Sequence, residues 1–232
     1  MQYFFNAMGI NWMPLLMTAL TGYFLGSLNF AIISTRIFKS GEIRQQGSGN
    51  AGITNVLRSA GVKPALLTLA GDLLKAVCAV LVARAWFVNF GAGNEPFLKL
   101  VPAFTAGLFC VIGHVYPCYF SFKGGKGVLA AAGIYLFVDW RVFLVVIAAF
   151  VLLVIATKYV SLGSVVAASL LPFVTFFMHY FIDFKDFSGY PFSLCVYATG
   201  ISAIIGFIIV FKHKENIKRL IKGEEKKFSV KK

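Results

Sequence analysis

The chain has 232 residues, 59% hydrophobic and only 13% charged, with a mean hydropathy of +0.80. An average soluble domain carries about 25% charged residues, so a water-soluble core is excluded and an integral membrane protein is implied. The net charge of +13 does not read as nucleic-acid binding, because the basic residues lie between apolar runs and in a terminal tail rather than on one basic face.

Residues 1–35 carry no charge. The stretch 14–35 suffices for a first helix, since a crossing needs about 20 residues at about 1.5 Å rise each. No basic segment precedes it, so a cleaved leader is not expected. The second run, 64–83, opens with Pro64 at a helix start and holds Asp72 and Lys75 one turn apart. Unpaired charges are costly there, so the two are expected to pair or to line a polar cavity, bracing a site rather than touching substrate. Further apolar runs cover 100–113, 127–138, 142–157, 159–182 and 187–211. The run 127–138 is below the usual crossing length of about 17–25 residues and reads as tilted, broken or re-entrant.

Charge decides the topology. With seven crossings, loops 36–63, 114–127 and 157–164 and the tail from 212 share one side and hold 17 of the 22 Lys and Arg residues. That side is expected to be cytoplasmic. Arg84, Lys99, Arg141 and Lys185 then lie opposite, beside Glu95, Asp139, Asp183 and Asp186. The expected fold is all-α: a polytopic membrane protein of about seven transmembrane helices, N-terminus outside and C-terminus cytoplasmic. Cys78, Cys110, Cys118 and Cys195 show no C-x-x-C spacing and read as small core hydrophobes.

Three polar segments fall on the basic side. The first, residues 47–58, packs Gly47, Ser48, Gly49, Asn50, Gly52, Thr54, Asn55 and Arg58 into one short run. Glycines permit close backbone approach, the hydroxyls and amides donate hydrogen bonds, and Arg58 can fork onto phosphate oxygens. Ser48 or Asn50 is placed to cap a short interfacial helix. The bland alternative is a turn-and-cap cluster. The second segment, Phe122-Lys123-Gly124-Gly125-Lys126-Gly127, fails the Walker pattern, with Phe120 where its first Gly belongs and Gly127 where Ser or Thr belongs, so nucleotide hydrolysis is not supported. Glycine amides and Lys126 at the start of an apolar helix still suit an anion nest; a plain glycine turn is the alternative. His114 nearby reads as structural or solvated, with proton donation as the functional alternative. The third, residues 213–225, sets His213 and Asn216 on one helical face, able to hold a hydroxyl or phosphate; otherwise it is a snorkelling basic helix end. Ser161 and Ser164 add hydroxyls on the same side. Anion-binding loops against hydrocarbon suit a substrate with a phosphate head and an apolar tail.

Gly26-Ser27, SGNAGITNVLR, the Asp72/Lys75 pair, FKGGKGV, KYVSLGS and HKENIKRLIKGEE occur in the order in which similar motifs occur in the bacterial acyl-phosphate:glycerol-3-phosphate acyltransferases, the PlsY family. The chain resembles that family from about residue 20 to 228. The resemblance implies acyl transfer from acyl phosphate to glycerol 3-phosphate, giving 1-acylglycerol 3-phosphate and phosphate, by a single transmembrane domain with a basic cytoplasmic tail at 212–232 in a bacterial plasma membrane. It matches Ser48, Asn50, Thr54, Asn55 and Arg58 to the first family motif, Gly124, Gly125, Lys126 and Gly127 to a glycine loop associated with acyl phosphate, and His213 and Asn216 to the third. The catalytic set expected is Arg58, Lys126, His213 and Asn216. The other matched residues, with Ser161 and Ser164, are expected to bind substrate. A soluble acyl-phosphate-forming enzyme is a candidate partner. One departure bears on the bend of the first helix: the family commonly has proline where this chain has Asn29. No metal or nucleotide fingerprint is present, so no cofactor is expected. The competing reading is a transporter of a phosphorylated solute.

Overall fold

A computed structural model describes residues 12–89, 100–186 and 189–228. The described residues are all-helical: α1 (Trp12–Ser27), α2 (Phe30–Ile37), α3 (Ile53–Ser59), α4 (Val62–Asn89), α5 (Leu100–Val115), α6 (Val128–Val138), α7 (Trp140–Thr157), α8 (Val160–Phe177), α9 (Phe192–Lys212) and α10 (Lys214–Ile221). A wider π-helical segment, Met178–Phe184, prolongs α8. Among the described residues, six helical segments are long and apolar enough to cross a membrane, one fewer than expected. The seventh, α6, has 11 residues, about 16 Å against a hydrocarbon thickness of about 30 Å. Lys99 and Glu95 of the expected outer loop, and the last four residues of the basic tail, lie outside the described residues.

The first span, Trp12–Ile37, is broken at Leu28 and Asn29. Asn29 starts α2 by a different device from proline: its Oδ1 accepts from Ile32 N at 3.2 Å and caps the helix. The bend therefore survives the departure from the family pattern. Breaking a helix in a membrane strands carbonyls, and Lys75 of α4 collects them, its Nζ donating to Gly26 O at 3.0 Å and Leu28 O at 2.8 Å. The same ammonium lies 2.7 Å from Asp72 Oδ1 and 3.0 Å from His114 Nδ1. Asp72 Oδ1 also accepts from Phe30 N at 3.4 Å, tying α2 to α4. The expected Asp72 and Lys75 pair is thus part of a buried network with His114, which is not solvated: all three side chains are under 4% exposed. Close approach brings α1 onto α5. A Cβ at Gly26 would collide with the Cys110 carbonyl, the small-residue packing that joins membrane helices without a hydrophobic driving force.

At the far end of the bundle, Asp139 turns α6 into α7 and caps the latter, its Oδ1 accepting from Arg141 N at 3.1 Å. The Arg141 guanidinium forks onto Asp183 at 2.7 and 2.8 Å and onto Asp139 at 3.0 and 2.9 Å. His179, to which the sequence reading gave no role, is buried behind them, bonded to the Tyr190 hydroxyl and 3.4 Å from Asp139 Oδ2. These contacts pin the α6–α7 turn to the end of α8, at the end of the bundle away from the polar loops.

Candidate active site

The 47–58 segment owes its shape to one carboxamide. Asn55 Nδ2 donates to the carbonyls of Ile43, Gln46 and Asn50 at 3.2, 2.9 and 3.1 Å, and its Oδ1 accepts from Ser48 N at 2.9 Å. Gly47 and Gly49 take φ of +58° and +72°, conformations that side chains resist. The loop therefore curls around Asn55, whose carboxamide scaffolds it. Helix α3 begins at Gly52 with no side-chain cap; neither Ser48 nor Asn50 caps it, contrary to expectation. Arg58, in its last turn, is exposed and has no ion-pair partner among the described residues.

The glycine loop departs further from expectation. Gly124 N donates to Val115 O at 3.2 Å and Gly125 N to His114 O at 3.1 Å. A Cβ at Gly125 would strike the His114 ring and the Ala51 carbonyl. These two glycines let the loop fold tightly back on the end of α5; their amides are consumed there, and neither residue lines the cavity. Gly127, with φ of +88°, does line it and opens α6, whose first amides lack intrahelical acceptors.

Helix α9 stops at Lys212 and α10 leaves at an angle from His213. Gly223, φ +70°, reverses the chain after α10, with Gly223 N bonding to Leu220 O and Glu224 N to Arg219 O. The reversal delivers Glu225, quoted within the third motif but given no role, to the centre of the site. Its Oε1 accepts from Ser161 Oγ at 2.8 Å and Asn216 Nδ2 at 2.7 Å, and its Oε2 from Arg219 Nε at 2.7 Å. These donors hold its carboxyl below the usual range against the opposing effect of burial. Asn216 Oδ1 in turn accepts from Lys126 Nζ. An acid four residues past the end of a basic helix and two past a glycine was the only sequence signal for it.

Together these side chains enclose a cavity of about 360 Å³, lined by Ser48, Asn50, Thr54, Asn55, Arg58, Lys126, Gly127, Ser161, His213, Asn216, Arg219 and Glu225, with Asp72 and His114 also on its wall. Ser164 is not among them. Its hydroxyl donates to Val160 O at 2.9 Å, and it lies instead along an apolar groove of about 200 Å³ between α6, α7 and α8. The cavity and the groove adjoin each other: Ile53, Thr54, Val128 and Leu129 line both.

Burial pushes the Lys126 ammonium down to about 8. Burial, with the Lys126 charge as a second cause, holds His213 at about 4. The His213 Nδ1–H donates to Ile209 O at 2.7 Å, so the neutral ring keeps Nε2 as an acceptor.

Residues 16–223 match the family described as glycerol-3-phosphate acyltransferase. This chain belongs to the glycerol-3-phosphate acyltransferase family, of the PlsY type. Among its relatives, the glycerol-3-phosphate acyltransferase of Syntrophomonas wolfei is 39% identical over 207 residues, 89% of this chain and 93% of the relative. That of Dechloromonas aromatica is 37% identical over 220 residues, 95% and 99% of the two chains. The crystal structure of PlsY, an integral membrane glycerol 3-phosphate acyltransferase in its glycerol 3-phosphate form, superposes with a TM-score of 0.72 at 32% identity, covering 93% of this chain and 96% of that one. The lysophosphatidic acid form of PlsY gives 0.70 at 31% identity with the same coverage.

Proposed function

We propose that this acyltransferase moves a fatty acyl group from acyl phosphate to glycerol 3-phosphate, yielding 1-acylglycerol 3-phosphate and inorganic phosphate. The observation that carries the reading is the adjacency of a basic, hydroxyl-lined cavity and an apolar groove: one chamber suits two phosphates, the other a hydrocarbon chain, and Thr54 lines both. Family membership supplies the acceptor. The topology we propose has seven crossings, N-terminus outside, and the site at the cytoplasmic face of a bacterial inner membrane. Support comes from α6, which runs from the cavity to the Asp139 turn at the far end, and from the basic loops gathered at the cavity.

Acyl phosphate is a mixed anhydride with a good leaving group, so alignment and charge stabilisation suffice without an acyl-enzyme. The glycerol 1-hydroxyl oxygen attacks the acyl carbonyl; the bond from that carbon to the phosphate oxygen breaks, and phosphate departs with the electron pair. Arg58, Lys126 and the first amides of α6 hold the two phosphates, while Ser161, Asn216 and His213 Nε2 orient the glycerol. A base with a pKa of about 4 is weaker than a phosphate monoester, whose second pKa is about 6. The hydroxyl proton therefore passes to phosphate, and His213 positions. On this scheme His213→Ala raises KM for glycerol 3-phosphate by about tenfold with kcat within a fewfold. A collapse of kcat at unchanged KM would make His213 the base.

Lys126 imposes a pH limit. In the free enzyme it is protonated below pH 8 and loses its charge above it, so kcat/KM falls on the alkaline side with an apparent pKa near 8. Bound phosphate raises the lysine pKa, moving the corresponding limb of kcat to higher pH. Lys126→Arg, charged throughout, should erase the alkaline limb; a wild-type profile flat to pH 10 would overturn the assignment.

The direct test supplies purified protein in detergent with palmitoyl phosphate or palmitoyl-CoA, following lysophosphatidate and released phosphate. Product from acyl phosphate alone supports the reading. Product from neither donor, with vesicles that accumulate glycerol 3-phosphate, would favour transport instead.

A further inference from the structure

The apolar groove has a measurable length. On each of the three helices that supply most of its lining, the lining residues begin and end seven residue steps apart: Val128 to Tyr135 on α6, Phe143 to Phe150 on α7 and Ser164 to Leu171 on α8. At about 1.5 Å per residue, each helix gives the same length of about 10 Å. The near end, at Val128, is shared with the polar cavity. The far end carries Tyr135, Phe143 and Leu171.

That far end is rigid. Tyr135 is 2% exposed, its hydroxyl 2.5 Å from Ser202 Oγ and its ring set edge-on to Phe104 with centroids 6.0 Å apart. Between the two ends the α6 and α8 walls are small, with Ala131, Ala132, Ala167 and Ala168 leaving room along the axis, and Val146 and Ile147 of α7 face them. A groove walled by alanine on α6 and α8 and by Val146 and Ile147 on α7, ending at a braced aromatic side chain and open along one side, is a gauge for the part of a chain that lies in it.

With carbon bonds of about 1.5 Å, an extended alkyl chain advances about 1.3 Å per carbon. Ten ångströms therefore hold about eight carbon steps. Resting on the acyl-phosphate reading above, we propose that the α6–α7–α8 groove grips the acyl chain only to about its ninth carbon, with Tyr135 and Phe143 marking the end, and that the remaining carbons stay in lipid. Carbons beyond that point exchange one hydrocarbon environment for another and add nothing to recognition. For short donors that arrive as monomers from water, each methylene that enters the groove contributes at most about 0.8 kcal/mol, a factor of about four.

The test measures kcat/KM, by released phosphate and lysophosphatidate, for straight-chain acyl phosphates from four to sixteen carbons. Donors of ten carbons or fewer are kept below their micelle concentration. Wild type should gain up to about fourfold per carbon to about nine carbons and then stay level. The variants decide whether the groove causes the break. Ala132 lies four steps from Val128, about 6 Å along the groove, so Ala132→Phe should move the break down to about five carbons. Phe143→Ala opens the far end and should move it up by two or three carbons. Should Ala132→Phe fail to fold, by thermal unfolding in detergent, Phe143→Ala still gives the answer. A break that stays at nine carbons in every folded variant, or a wild-type profile that climbs without break to sixteen, overturns the gauge while leaving the donor assignment intact. No turnover with any acyl phosphate, by protein that glycerol 3-phosphate still stabilises against heat, overturns the donor assignment and the gauge with it.

Discussion

Replacing Arg58 with alanine is expected to lower kcat/KM by about 10²–10³-fold, the loss typical of deleting one preorganised group that meets charge in the transition state. The side chain lines the cavity but is exposed and unpaired among the described residues. An exposed side chain with no partner contributes little to folding, so the unfolding midpoint should shift only slightly, within about 0.5 kcal/mol. The contrast is the point: a large kinetic loss in an unaltered fold assigns the guanidinium to substrate. Lysine at the same position keeps the charge but loses the planar fork, and should recover only part of the loss. Activity of Arg58→Ala within threefold of wild type, at subsaturating glycerol 3-phosphate, would remove Arg58 from the phosphate clamp.

The largest loss of stability is expected from Lys75→Met. The substitution leaves the Asp72 carboxylate 1% exposed without its lysine, with His114, 3.6 Å away, as the one group beside it among the described residues that can carry a positive charge; breaking a buried pair in this way costs about 3–5 kcal/mol. In a chain of this size that corresponds to a fall of roughly 10 °C in apparent Tm. Two further groups are stranded, the carbonyls of Gly26 and Leu28 at the break in the first span. They separate the ion pair from the tether. The double variant Asp72→Asn/Lys75→Met removes the unpaired charge and should regain part of the loss, yet stay below wild type by about 1 kcal/mol for each lost carbonyl bond. Full recovery in the double variant would mean that Lys75 serves Asp72 alone. A Lys75→Met protein within 1 kcal/mol of wild type would show that the buried network contributes little to stability.

Both predictions start from residues that are conspicuous in the sequence. Arg58 closes a run of glycines, hydroxyls and amides, and Asp72 and Lys75 interrupt an apolar stretch. What each does differs in how far it could be read. The pairing of Asp72 with Lys75 is local, one helical turn, so spacing alone predicts it. The carbonyls that Lys75 also binds are 49 and 47 residues away, and His114 is 39. The glycine loop shows the opposite error. Gly124 and Gly125 looked like an anion nest because their composition suits one, but composition cannot say that the end of α5 takes their amides.

By itself the sequence determined the class and most of the helices. Apolar runs predict spans because hydrocarbon leaves the backbone no partner but its own helix. The expected 64–83 and 142–157 became Val62–Asn89 and Trp140–Thr157. It also placed three polar segments that end up around one cavity, since each carries its chemistry within a dozen residues. Only the tertiary structure decided which members of those segments face the cavity. It turned Asn55 inward as the core of its own loop, sent Ser161 to the polar chamber and Ser164 to the apolar one, and brought Glu225 to Ser161 across 64 residues. It also brought Lys126 to Asn216 across 90 residues. The physical reason is common to all of them: a polar side chain in a nearly dry interior must find a partner, and which partner lies within 3 Å is settled by how helices far apart in the chain pack against one another.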